Sequence, residues 1–89
     1  GKNDIETQTR QTLENLDRIL GELRVTKSSL TYVEIYLTNP KEHSEQVIVL
    51  FKEFLEEHRP AGSLIGVTYL AFSDQLIEIS AIAHTDEIK

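Results

Sequence analysis

Two strand-like segments near the C-terminal end, residues 63–70 and 75–83, carry apolar or small side chains at both of their alternating sets of positions. Successive side chains of a strand point to opposite faces, so a strand that is apolar on both sides is normally buried on both sides. The rest of the chain offers two helical segments, which can cover only one face of a sheet. We therefore expect the second face to be covered by another subunit or by chain outside these 89 residues.

Hydrophobic spacing predicts the element order α-β-α-β-β. Apolar residues at three- and four-residue steps predict helices over 4–23 and 40–58, and strict alternation predicts a strand over 31–37. The strands 31–37 and 63–70 flank a helix, which favours parallel pairing, whereas 63–70 and 75–83 follow closely and are predicted to form an antiparallel hairpin. The fold class is therefore α+β, a mixed sheet with both helices on one face.

The whole chain is expected to form a single domain. Local sequence signals predict where its two helices begin. Asn3 has capping-box spacing for the first helix, with Asp4 as the alternative N-cap. Asn39 followed by Pro40 is a typical start for the second helix, because proline is favoured at the first helical position. Residues 1–3 are expected to form a flexible terminus.

Composition excludes several classes of function. Nine basic residues against fifteen acidic ones give a net charge of −6, which disfavours binding to nucleic acid, where lysine and arginine neutralise phosphates. No run of apolar residues is long enough to predict a transmembrane span. The chain has no cysteine, which excludes disulfides and thiolate zinc sites.

The residue pattern alone offers few candidates for chemistry. His43, His58 and His84 are far apart in the sequence and lack the spacing of a metal site, so we predict no metal. Glu78 is different, because it lies inside an apolar strand segment and must be either at an exposed edge or in a polar pocket. The edge interpretation is favoured, since strand alternation alone can turn a carboxylate outward.

Three stretches of the chain resemble the YjgF/RidA family of reactive-intermediate deaminases, whose older names are endoribonuclease L-PSP and translation inhibitor. They are QTRQTLENL at 8–16, EHRPA at 57–61 and IEISAIA at 77–83. The resemblance covers essentially residues 4–84. It implies a chorismate-mutase-like subunit that assembles as a homotrimer, with the sheets forming an inner barrel and with ligand clefts between subunits.

The resemblance also implies a chemistry, from which this chain departs. Family members with a complete site hydrolyse enamines and imines such as 2-aminoacrylate, and they need no metal or cofactor. An arginine after a Pro-Ala pair grips the substrate carboxylate, and a glutamate late in the last strand positions water or transfers a proton. Here Gly62 stands at the arginine position, Ser80 at the glutamate position and Ile48 at that of a cleft asparagine. These changes disfavour ordinary deaminase activity.

The candidate site therefore consists of polar and small residues near the positions where the family's arginine and glutamate are replaced. Glu78 lies two residues before Ser80 and so points to the same face of the strand, which makes these two the candidate catalytic residues. The candidate ligand-binding residues are Tyr36, Ala61, Gly62 and Ser63.

Two functions from different classes follow. The first is a trimeric protein of this family that binds a small metabolite, or acts as a regulator, without deamination. The second is an imine or enamine hydrolase that uses Glu78, Ser80, Tyr36 and backbone amides near Ser63. In either case we expect a cytoplasmic protein with no nucleic-acid or membrane partner. Family chains carry an additional N-terminal hairpin, which is expected to be either absent from this protein or outside the 89 residues.

Overall fold

A computed structural model describes residues 4–84 of the chain, and its elements follow the predicted order. The helices are α1 (Ile5–Glu22) and α2 (Pro40–Leu55), and the strands are β1 (Leu30–Leu37), β2 (Ala61–Gly66) and β3 (Ile77–Ala83). A short 3-10 turn, Lys27–Ser29, precedes β1. The predicted α+β class is confirmed, while the predictions for residues 1–3, including the Asn3 cap, lie outside the described residues.

The three strands form one sheet in the order β2-β1-β3. The predicted parallel pairing of the first two strands is confirmed, but the predicted hairpin between the last two is wrong: β3 pairs antiparallel with β1 instead. The connection 67–76 is long enough to carry the chain past β1 to its other edge. This arrangement places β1, the strand with the most buried side chains, at the centre of the sheet.

The second strand also differs from its predicted bounds of 63–70. It begins at Ala61 and ends at Gly66, because the strand beside it ends at Leu37. The Val67 N–H still donates to the Leu37 carbonyl, 3.0 Å away, and beyond that point β1 offers no further backbone partner.

Both helices are shorter than predicted. Asp4 caps α1, and its carboxylate accepts a hydrogen bond of 3.0 Å from the Thr7 N–H. Asn39 occupies the N-cap position of α2, as predicted, but its amide donates to the Glu42 carboxylate (2.8 Å) rather than capping the backbone. The second helix ends at Leu55 because Glu56 adopts a left-handed conformation with a φ of 58°.

The sheet has one covered face and one open face. The helices pack on the side that carries Val33, Ile35 and Leu37, all buried. The register places nine residues together on the opposite side, which we call the open face: Tyr32, Glu34, Tyr36, Ala61, Ser63, Ile65, Glu78, Ser80 and Ile82. None of the nine is fully buried. Within β2 and β3 only Ile77, on the helix-covered side, is fully buried, so the two-sided burial expected for the last two strands is not met within one chain.

One buried group inside α1 has no hydrogen-bonding partner, which gives a stability test. Thr9 is 0% exposed and its Oγ1 makes no hydrogen bond. We expect Thr9→Val to raise the free energy of unfolding by about 1 kcal/mol, because it removes an unsatisfied buried hydroxyl while keeping the side-chain shape. Thr12→Val is the matched control, since the Thr12 hydroxyl donates to the Gln8 carbonyl (2.7 Å) and its loss is expected to destabilise. Urea unfolding that ranks the two variants the other way would contradict this account.

Candidate functional site

A carboxylate at the centre of the open face organises its polar side chains. Glu34 accepts hydrogen bonds from two tyrosines on its own strand, from the Tyr36 hydroxyl at 2.5 Å and from the Tyr32 hydroxyl at 3.0 Å. Tyr32 also lies 3.1 Å from the Ser63 hydroxyl on β2. These residues form a network because side chains two apart on a strand share a face.

The network changes the acidity of one tyrosine. The hydrogen bond to Glu34 raises the pKa of the Tyr36 hydroxyl, with smaller contributions from desolvation and from nearby negative charge that includes Glu78. A carboxylate acceptor stabilises the neutral phenol and opposes a second negative charge beside it. Tyr36 is therefore held as a hydrogen-bond donor and does not act as a base at neutral pH.

The predicted catalytic residues lie on the same face as this network. Glu78 is opposite Tyr36, and Ser80 is opposite Glu34, in the β1–β3 register. Both side chains are exposed. The structure therefore places Tyr36, Glu78 and Ser80 side by side, with Ser63 one strand further along.

A separate groove runs beside the free edge of β2, between that strand and α2. Its volume is about 300 Å³, which is at the small end of ligand pockets. We call it the β2 groove, and it is lined by Val33, Ile35, Ile48, Phe51, Lys52, Leu55, Pro60, Ala61, Gly62, Ser63 and Leu64. Three of the four predicted ligand-binding residues thus border one apolar groove. A larger groove between α1 and α2, about 630 Å³, contains none of the predicted site residues.

A side chain at Gly62 would press against the neighbouring strand. It pairs with Val33 on the helix-covered side of the sheet, so it does not share the open face with the other candidates. A Cβ atom built there would lie 2.8 Å from the Val33 carbonyl oxygen, which is backbone and cannot move aside cheaply. The close approach of β1 and β2 at this point therefore favours glycine, since any larger residue must push the two backbones apart.

The candidate residues fall on two surfaces, the β2 groove and the open face, and Ala61 and Ser63 belong to both. Gly62 lies on β2 and Glu78 on β3, at opposite edges and on opposite faces of the sheet. Two strand spacings separate the edges, roughly 10 Å. Within the described residues of one chain, Gly62 and Glu78 therefore do not face a common site.

Sequence reasoning missed two residues of these sites. Like Glu78, Glu34 is a carboxylate inside an apolar strand, so the same pattern could have indicated it. Tyr32 and Tyr36 lie two positions before and after it, which is the spacing that predicts side chains on one face. Lys52 gave no signal, because a lysine in an amphipathic helix is normally solvated surface.

The three histidines lie in separate surroundings. The His43 Nε2 is 3.8 Å from a Glu42 carboxylate oxygen, and the His58 Nε2 is 2.8 Å from the Leu30 carbonyl oxygen. The backbone N–H of His84 donates to the Ser29 carbonyl. Over residues 4–84 no three potential metal ligands lie together, and no helix of that range is long and apolar enough to cross a membrane.

The raised pKa of Tyr36 can be tested by removing the negative charge of Glu34. We expect Glu34→Gln to lower the pKa of Tyr36 toward its ordinary value near 10, because the neutral amide no longer opposes the phenolate. In the unmodified protein the hydrogen bond stabilises the fold below about pH 10 and is lost as the pH rises through the raised pKa. NMR titration of the tyrosine rings measures this shift, with exposed Tyr69 as the internal control. A Tyr36 titration that is unchanged by the substitution would rule out Glu34 as the cause.

Comparison with known proteins identifies the family. The family model described as endoribonuclease L-PSP matches residues 1–85. The chain belongs to this family.

Individual members of the endoribonuclease L-PSP family show how much of the fold the chain contains. A RutC family protein of Pyrococcus horikoshii is 35% identical over 85 residues, which are 96% of this chain and 66% of that protein. The chain thus spans just under two thirds of that relative's length. The crystal structure of the Rid family protein YyfA from Yersinia pestis is 36% identical with a TM-score of 0.89, over 93% of this chain and 65% of that one. Escherichia coli TdcF, crystallised with bound serine, is 26% identical with a TM-score of 0.85, over 93% of this chain and 66% of its own.

Proposed function

We propose that this protein binds a small metabolite in the β2 groove, within a homotrimer, and that it does not carry out the enamine and imine deamination of its family. The observation that carries this proposal is the β2 groove itself. It is present and apolar, but its edge strand holds Gly62 where the family resemblance implies a carboxylate-gripping arginine. The chain therefore has a groove that can hold a ligand, but it lacks the arginine that would grip the carboxylate of a reacting substrate.

The division of the candidate residues supports a cleft between subunits. Each chain presents the β2 groove at one edge of its sheet and the pair Glu78 and Ser80 at the other. When copies are arranged around a three-fold axis, the β2 edge of one subunit can meet the β3 edge of the next. The cleft then combines an apolar groove with a polar wall, although neither surface alone encloses a ligand.

The open face supports assembly. Ile65 and Ile82 lie on it with the tyrosines of the Glu34 network, and Ile82 is 58% exposed. Exposed apolar side chains on a sheet face are typical of surfaces that pack against another chain. The serine that TdcF holds in its crystal structure shows that a related protein takes a small amino acid, which is the size of ligand that the β2 groove admits.

The decisive assay is turnover of 2-aminoacrylate, generated in place by a dehydratase. We expect the rate of pyruvate release to equal that of the blank, because Gly62 and Ser80 stand where the family resemblance implies the arginine and the glutamate that act on the substrate. A member of the family that retains the arginine serves as the positive control. Acceleration above the blank would contradict the non-hydrolytic part of the proposal.

One observation favours a second candidate, an imine or enamine hydrolase with a rearranged site. Glu78 lies opposite Tyr36, whose hydroxyl proton is donated to Glu34, so a general base stands beside a neutral phenol. If this candidate is correct, pyruvate release is accelerated and the acceleration is lost on Glu78→Gln. Glu53→Gln on α2 is the matched control, since Glu53 lies outside the open face.

A further inference from the structure

The β2 groove contains one charged side chain, Lys52. It lies on α2 one turn after Ile48, so both project toward the same side of the helix. Lys52 is exposed, and it forms no ion pair within residues 4–84. Lys41 on the same helix also forms no ion pair within residues 4–84, but it does not line the groove, so Lys52 is distinguished by its position.

Arg59 is the other cation near β2, but it is already engaged. Its Nη1 donates to the backbone carbonyls of Glu56 (2.5 Å) and His58 (2.8 Å), and the residue does not line the groove. These bonds hold the turn between α2 and β2. Lys52 is therefore the cation that remains available to a ligand in the groove.

The free edge of β2 adds backbone donors to this cation. The Val67 N–H points to β1, where it donates to the Leu37 carbonyl, and the direction of the N–H groups alternates along a strand. The N–H groups of Gly62 and Leu64 consequently point away from β1, toward the unpaired edge beside the groove. An ammonium group together with outward backbone amides is an arrangement suited to a carboxylate.

We propose that Lys52, with the outward amides of Gly62 and Leu64, binds the carboxylate of a small aliphatic acid whose apolar body lies in the β2 groove. This inference rests on the proposed function, since it names the ligand class of the same groove. The apolar end of the site is formed by Ile48, Phe51, Leu55 and Leu64. Lys52 on the helix thus supplies the positive charge that Gly62 on the strand does not.

The test compares a charged probe with its neutral isostere. Amide chemical-shift titrations with butanoate and with butanamide are run on the 89-residue chain and on Lys52→Gln, Lys52→Arg and Lys41→Gln. We expect Lys52→Gln to weaken butanoate binding about tenfold, equivalent to about 1.4 kcal/mol. Lys52→Arg is expected to retain the binding, and butanamide binding is expected to be the same in all four proteins. Lys41→Gln is the matched control, since Lys41 is an exposed lysine on the same helix outside the groove.

The outcomes separate the two proposals. If the unmodified protein binds butanoate and Lys52→Gln binds it equally well, the role of Lys52 is wrong while the proposed function stands. If neither probe shifts any amide of the groove, the proposed function fails and this inference fails with it. Because Lys52 is exposed, the variants are expected to fold, and their amide spectra without ligand check this directly.

Discussion

Replacing Gly62 with alanine is expected to lower the free energy of unfolding by about 1–3 kcal/mol, the usual cost of forcing extra atoms into a packed site. The new Cβ would lie 2.8 Å from the Val33 carbonyl oxygen, so β1 and β2 must separate at that point. Urea unfolding monitored by circular dichroism measures the loss.

Gly21→Ala is the matched control for this substitution. Gly21 lies in the last turn of α1, and a Cβ added there meets nothing within 4 Å. The same chemical change is expected to raise the free energy of unfolding by up to about 1 kcal/mol, because alanine is the better helix former. Equal effects at the two positions would contradict the close approach of the strands.

The same geometry bears on the lost arginine. Gly62→Arg does not simply restore the family site, because the arginine Cβ meets the same Val33 carbonyl as alanine does. Gly62 thus allows β1 and β2 to pack closely, and it also lacks the guanidinium that the family resemblance implies at this position. This is a physical reason to look for the ligand-binding charge elsewhere, on Lys52.

If the proposed trimer forms through the open face, Ile82→Asp is expected to convert it to single chains. Ile82 lies on the open face, where Glu34 and Glu78 already place two carboxylates and where none of the nine residues is basic. In a trimer that buries this face, the substitution adds three charges that have no partner, and burial of an unpaired charge is strongly unfavourable. Light scattering is expected to give a mass near three times 10.2 kDa for the unmodified protein and near 10.2 kDa for the variant.

Ile19→Asp controls for a general effect of a new charge. Ile19 is 47% exposed on α1, away from the open face, so this variant is expected to keep the mass of the unmodified protein. An Ile82→Asp protein that remains trimeric would exclude the open face as the interface. A monomeric unmodified protein would overturn the proposed assembly itself.

The element order and the fold class could be predicted because each element carries a local signal. The three- and four-residue steps of α1 and the alternation of β1 are read from neighbouring residues, and both elements lie within one residue of their predicted bounds. Strand pairing has no such signal. Consecutive strands usually pair, which made β2 and β3 look like a hairpin, but the connection 67–76 carries the chain past β1.

The candidate site was only partly predictable, for the same reason. The open-face residues Tyr36, Glu78 and Ser80 were found one at a time, and alternation correctly put Glu78 and Ser80 on one face. The contacts of Glu34 with Tyr32 and Tyr36 follow from the spacing of residues within β1. The approach of Tyr32 to Ser63 and the place of Lys52 in the β2 groove do not, since each depends on which element lies next to which. The lack of space at Gly62 depends on a distance between two backbones, which no residue pattern encodes.

Amide chemical-shift mapping of ligand binding tests whether the β2 groove is the binding site, because it reports where a small acid binds. The probes are serine, 2-oxobutanoate and butanoate, each added to saturation to the unmodified protein. We expect at least one of them to shift the amides of 61–64 together with those of the α2 residues that line the β2 groove, which are Ile48, Phe51, Lys52 and Leu55. Shifts confined to the groove between α1 and α2, or no shift in either segment with any of the three probes, would contradict this prediction.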